Sequence, residues 1–274
     1  MGRIRRTWYF GKVSWRVLRS EKSLAAFPVL MAVGGLVVFV VFGGLIAAAG
    51  IQDSDSGNAL APIGWVLLVV AYLVFGIVMT YFQVALCAGA NERLEGRDTS
   101  LGGSMAAANR RLPAVFGWGI LQGTVSVVLS SVEDRGIVGG IVAGLVGTAW
   151  KLATFLAAPV IALEGTGPIA SLKRSGSLVR ATWGENLFAQ AGFGLFGLVA
   201  SLPGIALIVI GATSGIWPLA VVGLVWILVV SVVVSAMTGI LKTALYRYAT
   251  GSGAPAGFTE SELAGAFVPR AGRR

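Results

Sequence analysis

The sequence has no histidine and a single cysteine, Cys87. Without imidazole, the commonest general base and the commonest transition-metal ligand are both missing. One thiol cannot close an intramolecular disulfide. Charge is scarce too: 12% of the 274 residues are Asp, Glu, Lys or Arg, against about 25% in a soluble domain. Half the usual density cannot cover a water-facing surface of this size, which excludes a soluble globular protein. Acidic residues are the scarcest, 12 against 21 basic. The sequence Gly165-Thr166-Gly167 lacks the lysine and hydroxyl that follow the glycines of a nucleotide loop. Nothing gathers an acid, a base and a nucleophile, so no enzyme, cofactor or metal centre is expected.

What the chain does have is apolar length. Hydrophobic residues make up 56% of it, in six blocks, each long enough for the roughly 20 residues a bilayer core requires. They run over about Leu24–Ala49, Pro62–Ala90, Pro113–Ser131, Ile137–Leu163, Leu187–Ile210 and Ile216–Tyr248. Pro62, Pro113 and Pro218 fall in first turns, where a missing N–H is harmless. Pro28, Pro159 and Pro203 fall inside blocks and predict local kinks. The first block is too long for a signal-peptide core of about 7–15 residues, and is read as a retained helix.

Basic residues set the orientation. Seven precede the first block: Arg3, Arg5, Arg6, Lys12, Arg16, Arg19 and Lys22. The second connection adds Arg93, Arg97, Arg110 and Arg111, and the fourth Lys173, Arg174 and Arg180. Lys242, Arg247, Arg270, Arg273 and Arg274 close the chain. One side thus collects nineteen and the other only Arg135, with Lys151 inside a block. Both termini are expected in the cytoplasm of a plasma membrane. The net charge of +9 therefore points to anionic lipid headgroups as partners, not to nucleic acid.

The cytoplasmic segments predict three short amphipathic surface helices. The first sets Tyr9, Val13 and Val17 opposite Lys12, Arg16 and Arg19. The second runs through Leu101, Met105, Ala108 and Leu112. The third has Ile169, Leu172 and Val179 on one face and Lys173, Arg174 and Arg180 on the other. Each precedes a pair of spans, giving three units of surface helix, span, short outer turn and span. The predicted architecture is all-α: a polytopic bundle of six transmembrane helices over residues 1–248. A cytoplasmic tail, 249–274, has a short docking helix around Phe258, Leu263 and Phe267.

Trp15-Arg16-Val17-Leu18, the stretch from Gly144 through Trp150 to Pro159, and Ile169 through Thr182-Trp183-Gly184-Glu185-Asn186 carry a resemblance. Through them the chain resembles a family of six-span bacterial membrane proteins of uncharacterised function. In hydropathy and helix layout it is also similar to the membrane domains of bacterial glycerophosphodiester phosphodiesterases. The resemblance implies a multi-pass plasma-membrane protein and brings no catalytic chemistry, since no phosphodiesterase catalytic domain is present in these residues.

Two features inside the spans are candidates for function. Lys151 lies about 21 Å along the fourth span from Ile137 at 1.5 Å per residue. No carboxylate sits at comparable depth, and Gln122 on the third span is the best polar partner. Lys151 either snorkels to the inner interface or lines a hydrated cavity that binds an anion or a lipid headgroup. Gly139, Ala143 and Gly147 recur every four residues, as do Gly140 and Gly144, on one side of the fourth span. Such spacing lets helix backbones approach, within the chain or, on a sharper reading, between copies. Either predicts that Gly144→Leu disrupts assembly.

The leading functional expectation is a non-enzymatic scaffold or accessory protein. Arg5, Arg6, Lys12, Arg16, Arg19, Lys173, Arg174 and Arg180 would contact lipid headgroups, and a second copy or another protein is a further candidate partner. The rival is a small transporter or lipid-handling protein with a polar cavity around Lys151.

Overall fold

In a hydrocarbon environment every backbone N–H and C=O must find its partner within its own segment, and for long apolar runs the helix is the solution. The computed structural model describes residues 14–15, 18–19, 21, 23–48, 62–133, 136–183 and 192–252, and these form helices and turns without a strand. In chain order the helices are α1 (Ser23–Ala48), α2 (Pro62–Leu94), α3 (Leu101–Asn109), α4 (Leu112–Glu133) and α5 (Gly136–Ala153). They continue as α6 (Ala157–Glu164), α7 (Pro168–Trp183), α8 (Gly192–Thr213) and α9 (Trp217–Ala249). Pro62, Pro113 and Pro218 occupy first turns, as expected.

Five stretches are long and apolar enough to cross a membrane: α1, α2 from Ile63, α4, Gly139–Glu164 and α9. The expected fifth span corresponds to α8, whose stretch Gly197–Thr213 is apolar but shorter. The described residues thus carry five qualifying spans where six were expected.

The fourth span is not one helix. It breaks at residues 154–156, and the cause is Pro159 at the third position of α6. Proline has no N–H for the carbonyl of Phe155, and its ring crowds that carbonyl. The turn redirects the local bonds: Phe155 N donates to Leu152 O at 3.2 Å and Ala157 N to Thr154 O at 3.0 Å. The N–H of Leu156, left over by the break, donates to the buried Ser175 Oγ at 3.0 Å. Pro28 and Pro203, by contrast, lie inside continuous helices.

Short α3 and α7 precede the α4–α5 and α8–α9 pairs, matching the expected order. In α7 the covered face carries Ser171, Ser175, Leu178 and Val179. Ile169 is exposed, so it does not share the covered face with Val179 as the sequence had suggested. Ser171 is held by Thr166, donating to its carbonyl at 2.9 Å. Of the first predicted surface helix, Ser14 and Leu18 are buried and Trp15 and Arg19 exposed, all with helical backbone. Tyr9, Val13 and Val17 lie outside the described residues, as does the predicted helix around Phe258, Leu263 and Phe267.

The chain divides into two compact units, Met1–Pro28 with Gly89–Leu101 and Ser177–Arg274, and Val29–Ala88 with Gly102–Gly176. In the first unit α8 and α9 pack along each other as a hairpin, closed by Gly215 at φ 69°, a left-handed turn that glycine adopts without strain. In the second, α4 and α5 form a hairpin, and Tyr81 Oη on α2 donates to Asn109 Oδ1 of α3 at 2.8 Å.

Burial is uneven along single helices. Leu24 and Phe27 of α1 are fully buried, whereas Phe39 is 76% exposed. In α2 the exposed Ile63, Trp65 and Val66 give way to buried residues from Val84 to Ala90. In α9, Trp217 to Val229 is largely exposed and Ala236, Ile240, Ala244 and Leu245 are buried. The covered end is in each case the one next to a basic segment. The bare apolar lengths exceed anything a water-soluble monomer exposes and are what lipid tails would cover. The chain is therefore a membrane protein.

Candidate functional site

Lys151 stands in the last turn of α5 and is exposed. Near the centre of a spanning helix such a charge costs about 2.5–3.5 kcal/mol on insertion scales. The expected partner does not meet it. Trp118 Nε1 donates to Gln122 Oε1 at 3.0 Å, and indole, a donor only, turns the amide oxygen its own way. Trp118 in turn stacks on Trp150, with ring centroids 6.3 Å apart and planes 9° from parallel. This aromatic pair fixes the register of α4 against α5. Both Lys151 and Gln122 are exposed, and neither side chain bonds the other.

Of the basic residues assigned to headgroups, Arg5, Arg6, Lys12 and Arg16 lie outside the described residues. Arg19, Lys173 and Arg180 are exposed. Lys173 and Arg180 have no ion-pair partner among the described residues. Arg174 differs: its Nε donates to Glu164 Oε1 at 2.9 Å. An ion pair exposed to this degree contributes about 0–1 kcal/mol, so it restrains the guanidinium without removing it from solvent. Arg111 lies against the α-carbon of Gly165, closer than any side chain there would allow. Gly165 closes α6 at φ 68°, and a cation beside the last carbonyls of a helix is favourably placed.

The charged cluster best built into the fold was not foreseen. Arg247 near the end of α9 donates through Nη1 to Asn91 Oδ1 at 2.8 Å and to Glu95 Oε1 at 2.5 Å. Asn91 Nδ2 donates to the same carboxylate at 3.1 Å, and Arg97 pairs with its other oxygen. The cluster ties the end of α2 to the end of α9, positions 152 apart in sequence. Burial pushes the Glu95 carboxyl up, but hydrogen bonds from Arg247, Arg97 and Asn91, with the Arg247 charge, outweigh it. The group is held below its ordinary value. A lone acid between Arg93 and Arg97 was the only local sign of it.

Among the glycines, the α5 stripe is not where backbones meet. A Cβ on Gly140 or Gly144 would have nothing within 4 Å, and one on Gly147 would reach only Leu129 Cδ1 at 3.8 Å. Gly139 is half-buried, and Ala143 is the stripe's one buried member. The close approaches lie elsewhere. A Cβ on Gly119 would sit 2.6 Å from Ile77 Cα, and one on Gly76 would sit 2.7 Å from Gly119 O. In the α8–α9 hairpin, a Cβ on Gly223 would come 2.5 Å from Gly204 O, and one on Gly204 2.8 Å from Gly223 O. Each of these pairs is backbone against backbone, so neither side can yield.

Residues 62–257, from the start of α2 past the end of α9, match the model of a family of unknown function, DUF6159. The chain belongs to the DUF6159 family. No curated protein and no solved structure matches it. The resemblance to glycerophosphodiester phosphodiesterase membrane domains gains no support from these comparisons. It rested on hydropathy and helix order, which any polytopic helical protein of this length shares.

Two outcomes follow for this DUF6159 protein. Gly119→Leu drives a side chain into the α2 backbone and should abolish folded, monodisperse protein in mild detergent. Gly144→Leu should leave the melting temperature of the solubilised monomer within a few degrees of the parent, so equal damage from both would contradict the assigned crossing. Glu95 has a lowered folded pKa, so its contribution to stability is complete above the ordinary carboxylate value of about 4.3. It is lost as pH falls through the lower folded value. Glu95→Gln should lower the melting temperature at pH 7 and flatten its dependence on pH below 5, as followed by tryptophan fluorescence.

Proposed function

We propose that this DUF6159 protein is a six-span protein of the bacterial plasma membrane with both termini in the cytoplasm. It serves as a non-enzymatic scaffold or accessory protein that holds anionic lipids and protein partners on a basic cytoplasmic layer. The charge distribution carries this reading: nineteen basic residues fall on one side of the apolar blocks and one on the other. Arg19, Lys173 and Arg180, all exposed, supply cations to that layer, while Arg247 is drawn into the Glu95 cluster and supplies a brace.

The span that completes the six is α8, the fifth in chain order. It has 22 residues, about 33 Å at 1.5 Å per residue, and packs along α9 across a tight turn. If α9 crosses the bilayer, its antiparallel partner crosses back. A chain without histidine, whose Glu164 and Glu95 carboxylates are engaged by arginines, offers little to acid–base catalysis.

The transport or lipid-handling reading is favoured by one observation, the interruption of the fourth span at 154–156. Broken helices in transporters leave backbone groups free for substrate. Here the N–H of Leu156 is taken by Ser175, which favours a structural role for the break.

Sidedness and lipid preference test the proposal together. With Cys87 replaced by Ala, a cysteine at Asp55 should react with a membrane-impermeant maleimide added outside intact cells. One at Ser252 should react only after permeabilisation. In the same membranes, joint replacement of Arg19, Lys173 and Arg180 by Gln should lower the share of phosphatidylglycerol among co-purified lipids. Labelling of both cysteines from outside contradicts the topology, and an unchanged lipid share contradicts the basic layer's role.

A further inference from the structure

Lys151 and Gln122 present hydrogen-bond donors without acceptors among the described residues, at exposed positions of the α4–α5 hairpin. The indole of Trp118 holds the Gln122 oxygen, which leaves the amide NH2 turned the other way, with no acceptor among the described residues. The Lys151 ammonium has three donors and likewise no partner among the described residues. Stacking of Trp118 on Trp150 sets Lys151 level with the turn of α4 that carries Trp118. Gln122 then lies one turn, about 5–6 Å, further out. Arg111, at the basic end of α4, is seven residues from Trp118, about 10 Å along the axis. Lys151 therefore sits inside the apolar stretch but near its basic end.

No counter-charge is on hand among the described residues of this unit. Glu133 terminates α4 at the opposite end, and Glu164 is engaged by Arg174. Side chains of a helix lean toward its N-terminus, so on α5 Lys151 leans away from the basic end, against an easy escape to water. An ammonium so placed is stabilised by an anion beside it. The bilayer can bring one: a lipid phosphate has several acceptor oxygens and can take lysine and amide donors together.

We propose that Lys151 and the Gln122 amide, braced by the Trp118–Trp150 stack, form a lateral intramembrane site for the phosphate of one anionic glycerophospholipid. This rests on α4 and α5 being spans, as in the proposed function, and is independent of the surface cations Arg19, Lys173 and Arg180.

The test is titration of the full-length, delipidated protein in mild detergent with phosphatidylglycerol or phosphatidylcholine, with bound lipids counted by native mass spectrometry. The parent should bind its first phosphatidylglycerol about tenfold more tightly than phosphatidylcholine, the size of one charge-assisted hydrogen bond. Lys151→Gln should erase that preference, Lys151→Arg should keep it, and Gln122→Leu should weaken it while leaving the charge in place. Should Lys151→Gln fail to fold, Gln122→Leu decides alone. A first phosphatidylglycerol bound equally well by Lys151→Gln, or an unaltered Gln122→Leu, overturns the site. If only the Arg19, Lys173 and Arg180 variant loses that lipid, the surface layer is upheld and the lateral site fails. The reverse pattern upholds the site and sinks the layer.

Discussion

Two apolar helices in lipid gain little by leaving one oily surface for another, so their association depends on how closely their backbones can come. In this protein that closeness is reached where glycine removes the last obstacle. Gly119 of α4 lies on the backbone of α2 at Ile77, and Gly204 and Gly223 face each other in the α8–α9 hairpin. Each crossing belongs to a different compact unit, and each brings carbonyl and α-carbon to distances that any Cβ would violate. The remaining features build on these crossings. With α4 seated on α2, its Trp118 fixes the register of α5 through Trp150.

Polar chemistry is confined to places where the backbone or the charge demands it. The Pro159 interruption frees an N–H, and Ser175 receives it. Serine on the covered face of an amphipathic helix would otherwise be a poor choice, and the break explains it. The Glu95 cluster does for charge what Ser175 does for the backbone. Arg247, Asn91, Arg97 and Glu95 bond to one another at the ends of α2 and α9, so a carboxylate in a basic neighbourhood acts as a fastener. Lys151 stands outside this economy, exposed and unpaired among the described residues, which marks it as facing something other than the protein.

Hydropathy alone revealed the five stretches long and apolar enough to cross a membrane, because runs of such length suit lipid and little else. First-turn prolines placed several helix starts within a residue or two. The break at Pro159 was foreshadowed, though its sharpness was not, since Pro28 and Pro203 sit in unbroken helices. The α5 glycines, the most regular pattern in the sequence, proved the least occupied. Spacing tells which face would permit approach and cannot tell whether a neighbour is there. Gly76 and Gly223, with no glycine or alanine four positions away, carry close contacts instead. Depth and side-chain tilt brought Gln122 and Lys151 near each other in principle. The rotation of Gln122 was settled by the Trp118 indole, which depth does not encode. The Arg247–Glu95 pair, 152 residues apart, had no local sign beyond a lone acid between Arg93 and Arg97.

The crossing of α2 and α4 can be read directly in native membranes. A Cβ on Gly123 would lie 3.6 Å from Leu73 Cα, so thiols at the two positions would lie side by side. In a background with Cys87 replaced by Ala, Leu73→Cys with Gly123→Cys should cross-link within the chain on mild oxidation. Leu73→Cys with Val127→Cys, one turn away, should not. Equal cross-linking of the two pairs, or none in the first, would show that α2 and α4 do not meet where their glycines allow.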